Sequence, residues 1–452
     1  MKRWIGALIA TALACIPILF ARVSSQSLFL DTDTKFILLG IRSKNSPFGW
    51  FFSDWPLGNH FYRPVSTLSF ELDNRLFHDS AAGYGLTNAL LCVACVFLLL
   101  WLLREITDNP LVSGLGAALF ALQSSGHSDV LLIPLEWAAI AIAILGAMRH
   151  GLRVLRWLPA PLVLWYSIQE TAGGASLAGG TIGWLPGRTA TVMTVFTLAS
   201  MAAYARYERT SAIRAVRPIT AVDLPATRTS IAKKAAGPFV WLWGAVSVLC
   251  AALAFGAYEQ AVMLPAELLA VAITMKFSGF RVRWGWQAAF WSLLVGYLAV
   301  RHAVIPAGVS SYQAQQYRHG PGVWLSLLDY AFPALNTISG FIATLDQGWF
   351  LVMNSGFYLF FVGLGSNITA FYQARRRWVW ALAGYGMSFI AFLPMAWVKQ
   401  FPHYSYWPLA MRSLFTVTLF LVAGELTVSA WSPPSRQAPK RLDPAPGSLP
   451  RL

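Results

Sequence analysis

Leu86-Thr-Asn-Ala-Leu-Leu-Cys-Val-Ala-Cys-Val-Phe-Leu-Leu-Leu-Trp-Leu-Leu103 is an apolar run without one charged side chain. At about 1.5 Å per residue, a helix of this length nearly crosses the ~30 Å hydrocarbon layer of a bilayer. Comparable runs recur at about 4–21, 111–126, 130–148, 154–168, 189–206, 238–256, 260–275, 285–304, 350–371, 378–397 and 408–428. Of the 452 residues, 56% are hydrophobic and 12% charged, about half the charged content of a soluble domain. The pattern predicts an all-α integral membrane protein, a bundle of about twelve transmembrane helices with both ends in the cytoplasm.

Lysine and arginine outnumber the acids 34 to 19, giving a formal charge of +15. On a soluble chain that excess would suggest nucleic acid. Here the basic clusters fall between the apolar runs: Arg149, Arg153 and Arg156; Arg206 to Lys234; Lys276, Arg281 and Arg283; and Arg375-Arg376-Arg377. Basic residues gather in cytoplasmic loops, so the excess reports topology and implies no nucleic-acid partner. The four cysteines lie inside apolar runs, and Cys92-Val-Ala-Cys95 reads as packing rather than a redox or metal motif. The first run reads as an uncleaved helix, although Ala21-Arg22-Val-Ser-Ser has the composition of a cleavage region.

Two extracytoplasmic loops are long, at 22–85 and 306–349. Thr34–Ile41 and Val65–Phe77 read as short interfacial helices. In the second loop, Leu325–Leu345 is interrupted by Pro333, Asn336 and Gly340. Counting it as a span would place the three arginines at 375–377 outside, so it reads as interfacial or re-entrant. The glycine-rich stretch from Gly173 to Gly187 reads as a mobile outer loop. Residues 1–430 form the transmembrane domain, and 431–452, rich in proline and basic residues, a disordered cytoplasmic tail.

Chemistry concentrates in the first loop. It holds Leu28-Phe-Leu-Asp31-Thr-Asp33, then Ser53-Asp54-Trp55, then Tyr62-Arg63-Pro64. Carboxylates at a membrane boundary are costly to desolvate and mark function more often than packing. In an extended chain Asp31 and Asp33 would project to the same side. Pro64 suits the first turn of a helix. Arg63 carries a fork of donors that matches phosphate, with pairing to Asp54 or Asp31 as the structural alternative. His60, His78, His127, His319 and His403 fall outside in this topology and His302 near an outer helix end, which favours a site on that face. Trp50, Trp55, Trp184, Trp324, Trp349 and Trp407 fall near the interfaces, as belt residues do.

This loop resembles the first extracytoplasmic loop of GT-C glycosyltransferases, most nearly the O-mannosyltransferase-like branch that includes the transmembrane-and-TPR enzymes and bacterial relatives without TPRs. That branch has an acid pair after helix one, a later acid near an aromatic, Tyr-Arg-Pro-Leu, and Gly-Tyr/Phe-His-Leu-x-Asn opening helix two. The last stands here as Gly83-Tyr84-Gly85-Leu86-Thr87-Asn88. Weaker echoes are Leu119-Phe120-Ala121-Leu122 before His127-Ser128-Asp129, Tyr258-Glu259-Gln260-Ala261 through Pro265, and His403-Tyr404-Ser405-Tyr406-Trp407-Pro408. The chain departs from the family where Thr32 fills one place of the acid pair, Gln123 replaces the first motif histidine, and Tyr258 and His403 replace Lys and Arg. Gly187-Arg188-Thr189 resembles a family Gly-Arg but lies later.

The resemblance implies a GT-C-type bundle and an inverting transfer of a sugar from a polyprenyl-phosphate donor to an acceptor hydroxyl. Asp33, or else Asp31, would be the base. Arg63, His403 and Arg412 would meet the phosphate. Asp54, His60, Tyr62, His127, Asp129, Glu259 and Tyr404 would line the substrate pocket. One base suffices, because phosphate leaves without protonation, and cations stabilise its charge. No cofactor is required; the oxygen and nitrogen donors of Asp31, Asp33, Asp54, His60 and His127 would allow a divalent metal. The partners implied are the lipid-linked sugar, an acceptor glycan, lipid or protein, and membrane lipids. The location implied is a bacterial inner membrane with the site facing out. The alternatives are a transporter or flippase of lipid-linked sugars, for which Glu136, Glu267 and Glu425 inside helices speak, and an inactive GT-C homologue.

Overall fold

The computed structural model describes residues 2–44, 46–127, 177–215, 239–318, 320–331, 375–399 and 401–431. The expected spans near 130–148, 154–168 and 350–371 lie outside the described residues, as do the tail from 432, His319 and Asp129.

The described residues contain helices and no strand; their one β-bridge pairs Tyr317 with Val398. The first apolar run is split into α1 (Lys2–Ala14) and α2 (Ile16–Phe20). Pro17 opens α2 and cannot donate to the turn before it. The first loop folds as α3 (Thr32–Ser43) and α4 (Pro64–Phe77), so helices stand at both expected places. Asp31 caps α3 and Pro64 starts α4, each placed where an orphan amide is accepted or absent. The helices α5 (Ala81–Thr107) and α6 (Pro110–Ser124) meet at a tight turn. There Asp108 adopts a left-handed conformation and Asn109 caps α6.

The remaining elements are α7 (Leu177–Thr181), α8 (Arg188–Ala215), α9 (Val240–Phe255), α10 (Leu264–Phe277), α11 (Gly285–Val304), α12 (Ser311–Gln316), α13 (Pro321–Ala331), α14 (Arg375–Phe392) and α15 (Tyr406–Trp431). A 3-10 turn, Glu259–Met263, leads into α10. Five stretches are long and apolar enough to cross a membrane: Arg3–Phe20, Ala81–Thr107, Glu259–Phe277, Arg377–Trp397 and Pro402–Val422. This is an all-α membrane protein; the finer count of about twelve spans is not established by these five.

One apolar core joins α1, α2, α5, α6, α8, α10, α14 and α15. A second, smaller core holds the first loop on the bundle, through Leu28, Ile37, Leu38, Ile41, Trp50, Trp55, Phe70, Tyr84 and Leu185. A Cβ at Gly85 would lie 1.8 Å from the Val23 carbonyl oxygen, so only glycine lets the chain after α2 run against α5. The expectation of a mobile glycine loop is corrected over 177–187. Leu177, Thr181, Ile182 and Leu185 are buried, and a Cβ at Gly187 would strike the Gly180 carbonyl oxygen at 1.7 Å. The glycines there serve close packing rather than freedom.

Arg188 follows directly and is fully buried. Its guanidinium pairs with Asp73 at 2.7 Å and donates to Asn88 Oδ1 at 2.6 Å and to the Tyr84 carbonyl at 3.0 Å. Burial pushes the Asp73 carboxyl up from the usual carboxylate range, with Arg188 and Thr87 opposing. The net pulls α4, α5 and α8 together beneath the first loop.

Candidate functional site

Arg63 occupies the position before Pro64, where α4 begins. Its guanidinium lies over the rings of Phe61, at 4.2 Å, Tyr258, at 4.4 Å, and Trp55, at 5.4 Å. Cation–π attraction to these rings helps hold the fork in place. The edge of that fork turns to Glu259: Nη2 and Nε reach Oε2 at 2.7 and 2.8 Å. The expected partners, Asp54 and Asp31, are not the ones used. Glu259 opens the 3-10 turn before α10, so this pair ties the first loop to the second half of the chain.

An aromatic wall extends from Arg63. Tyr258 faces Tyr404 at 6.2 Å, Tyr404 meets His403 at 4.4 Å, and His403 meets Trp184 at 5.1 Å. His403 is 5% exposed, and its Nδ1 has no hydrogen-bond partner among the described residues. Gln260 holds this wall in place by donating to the carbonyls of Ala391, at 2.9 Å, and Tyr404, at 3.1 Å.

Asp33 stands at the rim, half-buried in the first turn of α3. Burial, and then the neighbouring Asp31 carboxylate, push its carboxyl above the usual range. Tyr312 from the second loop packs edge-on against Phe61 at 6.3 Å. Burial and the Asp33 charge raise the Tyr312 hydroxyl, while Arg63 lowers it. Both charges therefore act on one phenol, and the structure brings Asp33, Tyr312, Arg63, Glu259, Tyr258, Tyr404 and His403 to one end of the bundle.

The extended Asp-x-Asp geometry is corrected. Asp31 accepts from the backbone amides of Asp33, at 3.0 Å, and Thr34, at 3.2 Å, and from the Thr34 hydroxyl. It is an N-cap, and the chain beyond it is helical. Asp54 likewise accepts three backbone amides, from Trp55, His60 and Phe61, at 2.7, 2.9 and 2.9 Å. It closes the turn that delivers Tyr62 and Arg63. His60 has a positive φ of 62°, and its Nδ1 lies 3.4 Å from the Gly308 carbonyl, joining the two long loops. Tyr62 donates to the Phe51 carbonyl at 3.1 Å. These three side chains build the loop.

Two further residues sit elsewhere. The exposed His127 ring turns back on its own helix end, 2.9 Å from the Ser125 carbonyl. Arg412 donates to the Ala331 carbonyl at 3.3 Å and lies 4.6 Å from the Tyr385 ring, on the α13 and α14 side. Among the described residues no three His, Cys, Asp or Glu side chains gather where they could hold a metal ion.

Tyr258, Tyr312, Phe61 and Trp184 were not among the expected site residues. Their signal in sequence was aromatic richness beside the acids, which belt residues share. No family model, curated protein or solved structure matches this chain.

Proposed function

We propose that the protein is an inverting glycosyltransferase that moves a sugar from a polyprenyl-phosphate donor to an acceptor hydroxyl. The observation that carries the reading is Asp33, a half-buried carboxylate whose charge, with that of Arg63, acts on the Tyr312 hydroxyl beside the aromatic wall. Its carboxylate takes the acceptor proton as that oxygen attacks the anomeric carbon. The bond to the phosphate oxygen breaks, and the phosphate leaves with the electron pair. The aromatic rings suit the apolar face of a sugar and the lipid. The resemblance of the first loop to GT-C enzymes supports the same reading, with the site on the extracytoplasmic face of a bacterial inner membrane.

Membranes containing the full chain, given labelled polyprenyl-phosphate sugar, should release free polyprenyl phosphate. D33N should lose that release while remaining folded. Full activity in D33N removes Asp33 from the mechanism.

One observation favours a second reading, a transporter or flippase of lipid-linked sugars. Glu267 lies inside the candidate span Glu259–Phe277 and is fully buried, and none of the ion pairs among the described residues includes it. Intramembrane carboxyls of this kind mark transport pathways. Movement of the intact labelled donor across the bilayer, without release of the lipid, would select this reading.

A further inference from the structure

The charges around Arg63 do not balance in the way a phosphate site on Arg63 needs. Arg63 spends its Nε and Nη2 on Glu259, so that pair is electrically neutral as a unit. A second arginine stands close by. Arg301, in the last turn of α11, donates one Nη2 bond, at 3.5 Å, to the His60 carbonyl. None of the ion pairs among the described residues includes it. It is partly exposed, and the rest of its donor fork meets no acceptor among the described residues.

One helical turn before it, on the same face, lies Tyr297. This ring is 8% exposed, and its hydroxyl has no hydrogen-bond partner among the described residues. It is held by stacking on Phe255 at 5.3 Å and by Tyr62 at 6.1 Å. The charges of Glu259, Arg301 and Arg63 all act on that hydroxyl. A buried phenol without a partner leaves a donor unsatisfied, at a cost that a bound acceptor removes. An uncompensated guanidinium and an unpartnered hydroxyl one turn apart offer charge and donors to the same anion.

We infer that Arg301 and Tyr297 form the binding site for a phosphate anion, and that Arg63 is a positioning residue that holds Glu259 and the aromatic wall. The assignment of that phosphate to a lipid carrier rests on the proposed function; the anion site itself does not.

The test uses the full chain in detergent micelles with three probes: a synthetic polyprenyl phosphate, the matching polyprenol and inorganic phosphate. R301Q should bind polyprenyl phosphate about tenfold or more weakly, the loss expected for a charge-assisted bond. Its affinity for polyprenol should not change. Y297F should bind the phosphate lipid several-fold more weakly, again with polyprenol unaffected. Inorganic phosphate should compete with the lipid in the wild type. Equal affinity for the phosphate lipid in wild type and R301Q overturns the site. Binding of inorganic phosphate without any binding of the lipid overturns the lipid assignment. Where R301Q fails to fold, R301K and Y297F decide: wild-type affinity in both overturns the proposal, and a several-fold loss in each supports it.

Sugar transfer separates this inference from the function it extends. Transfer at wild-type KM in R301Q sinks the anion site and leaves the transferase standing. Absence of transfer in the wild type, with phosphate-lipid binding still lost in R301Q, does the reverse.

Discussion

Asp33 and Asp31 lie two residues apart and differ in what surrounds them. The Asp31 carboxylate is taken up by the amides that begin α3, whereas the half-buried Asp33 carboxylate caps no helix. Their substitutions should therefore separate. D31N keeps an acceptor for the cap and should stay folded, while D31A should lose about 1 kcal/mol of stability, read as a lower melting temperature in detergent. Because the folded chain raises the Asp33 pKa, folding favours its protonated form. That contribution is present below the ordinary aspartate pKa and is lost as pH rises through the raised value. At neutral pH the charged Asp33 is thus a liability to the fold, and D33N should melt at the same or a higher temperature. Transfer in the wild type should decline as acidification protonates Asp33. The sequence showed that acids stood beside a crossing helix, but not which of them was free. That choice depends on backbone conformation at Asp31, where a cap and an extended strand share the same Asp-x-Asp letters.

At the scale of elements, Arg188 is the tie. It is fully buried and bonded to residues from α4 and α5. R188A would leave Asp73 charged and unpaired in the interior, a loss of about 3–5 kcal/mol, and should show as poor yield of folded protein in detergent. R188K keeps the charge but cannot reproduce the forked contacts, so it should fall between. The helices themselves were legible from the apolar runs and from Pro64, though not from their caps. The packing of the stretch 177–187 was not. Glycine letters signal mobility and close approach equally, and only the neighbour at Gly180 decides between them. The Arg63–Glu259 pair was hidden for another reason: its members lie 196 residues apart, and nothing local in either segment names the other.

On the scale of the whole molecule, orientation is open to direct measurement. Three of the four cysteines are buried, which leaves Cys250 as the accessible background. In a C250S chain, a cysteine placed at the exposed Asp79 of the first loop should react with an impermeant thiol reagent on intact cells. One at the exposed Lys276, at the end of α10, should react only after permeabilisation. Labelling of both sites from the same side contradicts the topology. The membrane character was plain from composition, whereas the meeting of the loops with the distant half of the chain was not. The Val65 amide donates to the Gly256 carbonyl at 2.8 Å, and the Ser66 hydroxyl to the Ala257 carbonyl at 2.8 Å. The opening turn of α4 thus completes itself on the closing turn of α9. During synthesis the N-terminal part emerges first, and its docking surface is roughly 190 residues behind it, a delay of about 10–40 seconds at ordinary elongation rates. Through that interval the newborn segment rests on Tyr84, Leu185 and Arg188 alone, so ribosome-stalled chains ending before residue 239 should be cut by added protease within 30–80 faster than chains long enough for residues 256–259 to have left the ribosome.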